Sequence, residues 1–426
     1  MKIYKIIFLA LSLLFSLMFK AQIPNYDWAR GFSSGNGGND GARCIKVDLS
    51  GNSVITGSFT GTNDFNLSPA YNLLHSPNGN IFLAKYDNAG NYIWAKNFGA
   101  FLGGQGIFLC FDNSGNIYVT GKYTGIADFD PSPSVYTLSA VGGEDIFVAK
   151  FDGSGNFIWA RSIGGTLNDT GYGICSDASG DIYFTGRFND TTDFDPSVGV
   201  ANLITNGGDE IFLAKFNSSG NYIWAFSVGN TSFDSGRSVG VDASGNVYLS
   251  GYFQLGADFD PSPATAIAPG LGGITDIFLA KYSSSGNYIW AKSIGGTSNE
   301  AAYAMYLDPT GNSYLTGNYS GGTPDFDPGP GIAIASGTAG CFIAKYDVNG
   351  NYLLAKSFGT STSFGDAICV GSTGNIYVSG HFTGSGDFDP SSSVATLASA
   401  GSWDIFVTSF DANGNYVLAP YKSYTV

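Results

Sequence analysis

A segment of about 65 residues recurs six times along the chain, and this recurrence limits the fold more than any single residue does. The third copy shows the parts: Gly173-Ile174-Cys175-Ser176-Asp177, a turn at Ala178-Ser179-Gly180-Asp181, Ile182-Tyr183-Phe184-Thr185-Gly186, then Asp193-Phe194-Asp195-Pro196. Glu210-Ile211-Phe212-Leu213-Ala214-Lys215 follows, and Asn221-Tyr222-Ile223-Trp224-Ala225 ends the copy. The glycine closing the second segment falls at Gly57, Gly121, Gly186, Gly251, Gly317 and Gly380, in steps of 64, 65, 65, 66 and 63. A fixed period built only of strand-like segments means units that cannot bury their own faces and must stack on neighbours.

Each unit reads as four strands, a to d. The a-b connection (Asp112-Asn113-Ser114-Gly115-Asn116) and the c-d connection (Asp87-Asn88-Ala89-Gly90-Asn91) are short and rich in Gly and Asn, so both predict hairpins whose Asp and Asn serve the turn. The b-c connection carries Asp-Phe-Asp-Pro, and the d-a connection is glycine-rich, as in Gly164-Gly165-Thr166-Leu167-Asn168-Asp169. In simple up-and-down order the two short turns share one end of a unit and the two long loops share the other. The expected fold is all-β: a six-bladed β-propeller of four-stranded blades. Trp94, Trp159, Trp224 and Trp290 recur in strand d, with Leu354 and Leu418 in the last two units, and read as packing between blades. A d-like strand, Tyr26-Asp27-Trp28-Ala29-Arg30, precedes the first full unit, and Pro420 marks the final d-like strand as an edge. The Trp28 strand is therefore expected to join the last blade and close the ring.

The string Asp-x-x-Gly-Asn-x-Tyr-Val-Thr-Gly, then Asp-Phe, then Asp-Ile-Phe-Val-Ala-Lys-x-Asp-x-x-Gly-Asn and a Trp strand resembles the SBBP family of bacterial β-propeller repeats over about residues 26 to 421. The family's name refers to seven blades, whereas six copies stand here. The resemblance implies an exported propeller and no reaction, because the family is defined by architecture.

Residues 1–21 read as a signal peptide: Lys2 and Lys5, an apolar run from Ile6 to Phe19, and a cleavage site after Ala21. As a helix that run spans only ~21 Å, short of a ~30 Å bilayer core, and no later segment is long enough to cross. Residues 22–426 then form the propeller, with repeats at roughly 41–100, 104–165, 171–230, 236–296, 301–360 and 365–421. No appended sorting domain is expected after Tyr421. Charged residues make up only 12% of the chain, about half the usual share. Apolar residues make up 43% and aromatics 15%, which suits sheets covered on both faces. With 34 acidic against 19 basic residues and a net charge of -15, nucleic acid is excluded as a partner. Five cysteines leave at least one unpaired, and Cys110, Cys175 and Cys369 share one repeat position. Equivalent positions sit a unit apart, beyond the ~7 Å reach of a disulfide, so buried free thiols are expected.

Two sets of residues are candidates for function. Asp128 and Asp130, Asp193 and Asp195, Asp258 and Asp260, Asp325 and Asp327, and Asp387 and Asp389 pair at i and i+2 in the b-c loops, with Asp64 and Asn66 in unit one. Carboxylates at that spacing face the same way, and two hard oxygen ligands begin a calcium site. The competing reading is a turn in which Asp accepts backbone N–H groups and pairs with Lys85, Lys150, Lys215, Lys281 or Lys345 of strand c. Ser409 replaces that lysine in unit six, so pairing cannot explain every copy. The second set follows the strand b glycine, where a constant frame carries Ser58, Lys122, Arg187, Tyr252, Asn318 and His381. A site free to vary in this way is either solvent-exposed or a ligand surface. Asp40, Asp169, Asp234 and Glu300 start the inner strands and read as a partial ring of carboxylates or as solvated loop acids.

His75 and His381 are the only histidines and have no metal-ligand spacing, so zinc and histidine triads find little support. The expectation is a secreted or cell-surface, non-catalytic binding scaffold for an extracellular glycan or protein, with calcium as the one cofactor in view. The alternative is a polysaccharide hydrolase or lyase using carboxylates of the long-loop face.

Overall fold

The computed structural model describes residues 40–66, 71–100, 103–334 and 339–417. Among them every element is a β-strand and every ladder is antiparallel. The third repeat is a four-stranded meander of strand a (Thr170–Ser176), b (Ile182–Phe188), c (Glu210–Phe216) and d (Tyr222–Val228), hydrogen-bonded in that order. Repeats one, two, four and five keep the order, and the first two are joined through Gly99 with Asp128 and Ala100 with Ala127. Repeat six pairs Ser363–Val370, Ile376–Phe382 and Asp404–Phe410. Its fourth strand is begun by a bridge from Phe410 to Tyr416 and by Val417 N–H donating to the Ser409 carbonyl at 2.9 Å. The Trp28 strand, Pro420 and the signal peptide lie outside the described residues. No helix among the described residues is long and apolar enough to cross a membrane.

Most of the short turns form because an aspartate closes them from inside, with Asn217 and Ser283 taking its place in two of them. Asp112 Oδ1 accepts the N–H groups of Ser114 and Asn116, both at 2.9 Å, and Asn116 Nδ2 donates to Asp112 Oδ2 at 2.8 Å. The same bonds recur at Asp87, Asp152, Asp242, Asp347 and Asp411. This is local side-chain to backbone bonding that favours a tight turn over continued strand. Ladder registers put a-b and c-d turns at one end of each unit: Ser176 faces Ile182, Ile182 faces Phe216, and Phe216 faces Tyr222. The long loops leave from the other end.

Consecutive units share one core between each pair. Ile211 and Leu213 of unit three pack with Val247, Leu249 and Phe278 of unit four, and Ile277 and Leu279 of unit four pack with Leu315 and Phe342 of unit five. The faces at the two ends of the array differ. Ile405 and Val407 of unit six are 85% and 73% exposed where their counterparts Ile211 and Leu213 are fully buried, and Ile45 and Val47 of unit one are also exposed.

The strand d tryptophans pack between units, as expected. An added Cβ on Gly155, Gly220 and Gly350 would lie 3.1, 2.8 and 3.0 Å from the rings of Trp94, Trp159 and Trp290 of the preceding unit, and Leu354 meets Gly414 in the same way. The strand c lysines also tie units together, which corrects their assignment to the Asp-Phe-Asp-Pro loops. Lys85, Lys150 and Lys281 pair with Asp48, Asp112 and Asp242 of the short turns at 2.9, 3.4 and 3.2 Å. All three donate onward into the next unit, Lys85 and Lys150 to the carbonyls of Gly153 and Ser218 and Lys281 to that of Val348. Strand c runs from the long-loop end to the short-turn end, so a lysine at its close can only reach the latter. All five cysteines are free, but of them only Cys341 is buried: Cys44, Cys110 and Cys175 are half-buried, and Cys369 is exposed because the strand a face of unit six has less cover.

Candidate functional site at the long-loop ends of the inner strands

The glycine that ends strand b is there because strand a crosses it at contact distance. A Cβ on Gly186 would collide with the Thr170 carbonyl, and one on Gly121 or Gly317 with the carbonyls of Gln105 and Ala301. The close approach accompanies a β-bulge in each inner strand. In unit four Gly236 pairs with Gly251 and Ser238 with Ser250, leaving Arg237 outside the ladder. The corresponding skipped residues are Arg43, Ile107, Tyr172, Tyr303 and Asp366. A bulge re-aims the extra side chain, and here it does so once per unit beside the variable position after the glycine. Sequence reasoning missed this second row. Its signal was a small residue at positions 42, 106, 171, 236, 302 and 365, followed by a large or charged side chain that varies among Arg, Ile, Tyr and Asp.

The variable position is neither freely exposed nor empty of partners. Ser58, Lys122, Arg187, Tyr252, Asn318 and His381 are all half-buried. Lys122 pairs with Glu144 at 2.8 Å and Arg187 with Asp209 at 2.5 Å. His381 Nδ1 lies 2.5 Å from Asp366 Oδ2, and its ring stacks on Phe364 at 4.9 Å with planes 7° apart. Tyr252 OH accepts from Arg237 Nη2 at 3.0 Å. Arg237 lies 4.0 Å over the ring of Tyr172, 5.2 Å from Tyr252 and 5.6 Å from Tyr303, so units three, four and five meet around one guanidinium. Burial pushes the Tyr303 hydroxyl up to about 12. On the side of units one and two, Arg43, Ser58, Gln105, Lys122 and Glu144 line an open cavity of about 420 Å³.

The Asp-Phe-Asp-Pro carboxylates are occupied by backbone. Asp193 Oδ1 accepts the N–H groups of Asp195 at 3.0 Å and Ala201 at 2.8 Å, and Asp195 Oδ1 accepts that of Ser197 at 3.0 Å. Asp128 and Asp130, Asp258 and Asp260, Asp325 and Asp327, and Asp387 and Asp389 repeat the scheme. The phenylalanine between them, Phe194 in unit three, is fully buried against Phe188 and Phe212. Each first Asp also meets the preceding unit, as in the bridge between Gly164 and Asp193. Among the described residues no group of three or more His, Cys, Asp or Glu side chains is arranged to hold a metal ion.

Asp169, Asp234 and Glu300 are buried, which corrects both sequence readings of them. Asp169 accepts the N–H groups of Gly165 at 2.7 Å and Asn189 at 2.9 Å, fastening the d-a loop to the end of strand b. Asp234 holds Asn230 and Gln254 in the same way. Burial raises the three carboxyls to about 7, 6 and 7 respectively. Acids opening strand c lie close by: Asp145 adds to the shift of Asp169, Glu210 to that of Asp234 and Asp276 to that of Glu300.

The arrangement is that of an all-β repeat protein with a mixed cationic and aromatic surface where its inner strands end. No protein-family profile matches the chain. An uncharacterized WD repeat-containing protein of Acanthamoeba polyphaga mimivirus is 27% identical over 327 residues, covering 64% of this chain and 23% of that protein. The regulatory protein FlaEY of Caulobacter vibrioides is 26% identical over 141 residues, covering 33% of this chain and 14% of that protein. The chain thus spans less than a quarter of the length of these relatives. Among solved structures, a protein of unknown function from Bacteroides caccae aligns over 79% of this chain and 88% of its own, at 8% identity and a TM-score of 0.39. The extracellular domain of a putative hybrid two component system from B. thetaiotaomicron covers 80% of this chain and 55% of its own, at 10% identity and a TM-score of 0.23.

Proposed function

We propose that this chain is an exported, non-catalytic propeller of six blades around one axis, and that it binds an extracellular ligand at the long-loop ends of its inner strands. One observation carries the binding reading. Within a repeated frame, the position after the strand b glycine differs in every unit, is half-buried each time, and in its Lys, Arg and His copies is held by a carboxylate. A merely solvated position has no need of such fixation, whereas a recognition surface does.

Support for a common axis comes from the inner strands, which lie against one another from unit to unit: Ser176 Oγ of unit three donates to the Phe111 carbonyl of unit two at 2.8 Å, and Cys44 Sγ of unit one reaches the Leu109 carbonyl of unit two. The resemblance to SBBP repeats and the WD-repeat relative agree with a propeller. Closure requires that Ile405 and Val407 be covered by the face of unit one, as Ile211 and Leu213 are by that of unit four, and the Trp28 strand is proposed to join the last blade at its edge. Export rests on the leader-like residues 1–21. A carbohydrate-cleaving role has less to draw on, since the loop carboxylates accept backbone N–H groups and Asp169, Asp234 and Glu300 are buried. Calcium binding by the loops would use the second oxygens of their aspartates.

Glycan-array screening of the mature chain, followed by hydrogen exchange with the best ligand, tests the binding face. Protection of the inner strands at Gly104–Phe111 and Ser235–Val241 is expected, and protection confined to the short-turn end would refute it. Deleting residues 22–39 should lower the melting midpoint, and an unchanged midpoint argues against closure. Melting with calcium and with chelator tests the metal, which an unchanged midpoint removes.

A further inference from the structure

Among the described residues Arg237 makes no ion pair, although it stands in a chain of net charge -15. Lys122, Arg187 and His381 of the same face each have a carboxylate. Arg237 instead sits over the ring of Tyr172 at 4.0 Å from its centroid, with Tyr252 and Tyr303 beside it, and its buried Nε has no acceptor. Three aromatic rings hold the group in place without neutralising it. A guanidinium held among rings and left with free N–H groups is suited to a carboxylate or sulfate oxyanion, two oxygens of which it can bind through parallel hydrogen bonds.

A row of rings leads away from this cation. Tyr303 lies 6.2 Å from Phe364, Phe364 stacks on His381 at 4.9 Å, and Trp403 meets His381 at 4.9 Å. Trp403 is 53% exposed, a large apolar surface at the long-loop end of strand c in unit six. Its neighbours Phe364 and His381 are only half-buried, so the row as a whole is accessible. Flat rings presented in series suit the apolar faces of sugar rings, while Asp366 and the tyrosine hydroxyls offer partners to sugar hydroxyls.

We infer that this row is a subsite for an acidic oligosaccharide, with Arg237 receiving the oxyanion of a uronate or sulfate group and Trp403 stacking on a sugar ring further along. The inference rests on the proposed binding face and adds the ligand class. It concerns units three to six, where the aromatic residues lie, rather than the cavity between units one and two.

Titration calorimetry of the mature chain with galacturonate hexasaccharide, its fully methyl-esterified form and a sulfated galactan hexasaccharide tests it. The acid is expected to bind at least tenfold tighter than its ester. Arg237→Gln should abolish that difference while leaving the ester's affinity in place. Trp403→Ala, at an exposed position, should weaken acid and ester by a similar factor without moving the melting midpoint. A sulfated chain that alone binds, with the same dependence on Arg237, supports the site and assigns the oxyanion to sulfate. Equal affinity of acid and ester in the unmodified chain overturns the acidic-ligand inference yet leaves the binding face standing. No binding of any of the three overturns the inference, and a glycan found elsewhere on the chain overturns the binding face as well.

Discussion

Trp159 of unit two lies against Gly220 of unit three, and its indole Nε1 donates to the Ser218 carbonyl of the same turn at 3.2 Å. The pair couples two requirements, because Gly220 has φ +76 and leaves no room for a Cβ beside the ring. Gly220→Ala therefore adds about 1–2 kcal/mol of backbone strain to a steric clash. Trp159→Ala empties a nearly buried site and should cost about 3–5 kcal/mol. Trp159→Leu, which copies Leu354 of unit five, should recover part of that loss. Urea denaturation of the three variants checks the order, and a neutral Gly220→Ala would contradict the packing described.

The buried carboxyls predict an unusual pH dependence. Asp169, Asp234 and Glu300 stand near 7, 6 and 7 in the folded chain, above the ~4 they have when unfolded. The folded state then holds protons that the unfolded state releases, so stability grows as pH falls from 8 towards 5 and is lost as pH rises through 6 to 7. Together the three contribute at most on the order of 10 kcal/mol. Below about pH 4 the trend reverses, because Asp48, held near 2, loses its pairing with Lys85 as it is protonated. The melting midpoint should therefore pass through a maximum near pH 5, and Asp234→Asn should flatten the alkaline side. A midpoint that falls steadily from pH 8 to 5 would show these carboxyls to be ionised.

Lys150 and Asp112 test the ties between units. Both are nearly buried, 3.4 Å apart, and Lys150 also donates to Ser218 of the next unit. Lys150→Met leaves a buried carboxylate unpaired and should cost about 3 kcal/mol or more. Lys122→Met breaks a pair that is about a third exposed and should cost under about 1 kcal/mol. Comparable losses in the two variants would mean that the short-turn lysines carry no special load.

In the Asp-Phe-Asp-Pro loops the two aspartates are unequal. Asp193 Oδ1 serves two N–H groups, one of them eight residues on, whereas Asp195 serves one at an exposed turn. Asp193→Ala should cost about 1–3 kcal/mol and Asp195→Ala less than half of that, while Asp193→Asn keeps the accepting oxygen and stays close to the parent. Thermal melts of the three variants measure this. An Asp195→Ala loss larger than that of Asp193→Ala, present only with calcium, would point to metal instead.

The repeat, its strands and its turns were legible in the chain because they depend on short-range chemistry. Asp-x-x-Gly-Asn closes a turn wherever it stands, and alternation in Ile182-Tyr183-Phe184-Thr185 makes a strand without reference to other units. The tryptophans were readable for a related reason, since Leu354 in the same place admits only an apolar role. The lysine pairings were not, because the sequence does not say which end of strand c a side chain will reach until the ladder fixes its register. Nor was the burial of Asp169, Asp234 and Glu300, which depends on a loop folding back over them.

By itself, then, the sequence determined six all-β units and which positions vary among them. Tertiary structure decided what surrounds those positions. The bulge that carries Arg237 out of its ladder arises where strand a crosses a glycine of strand b, and the three tyrosines around it come from three different units. Contacts between residues 65 or more positions apart are set by how sheets stack, and no local pattern encodes them.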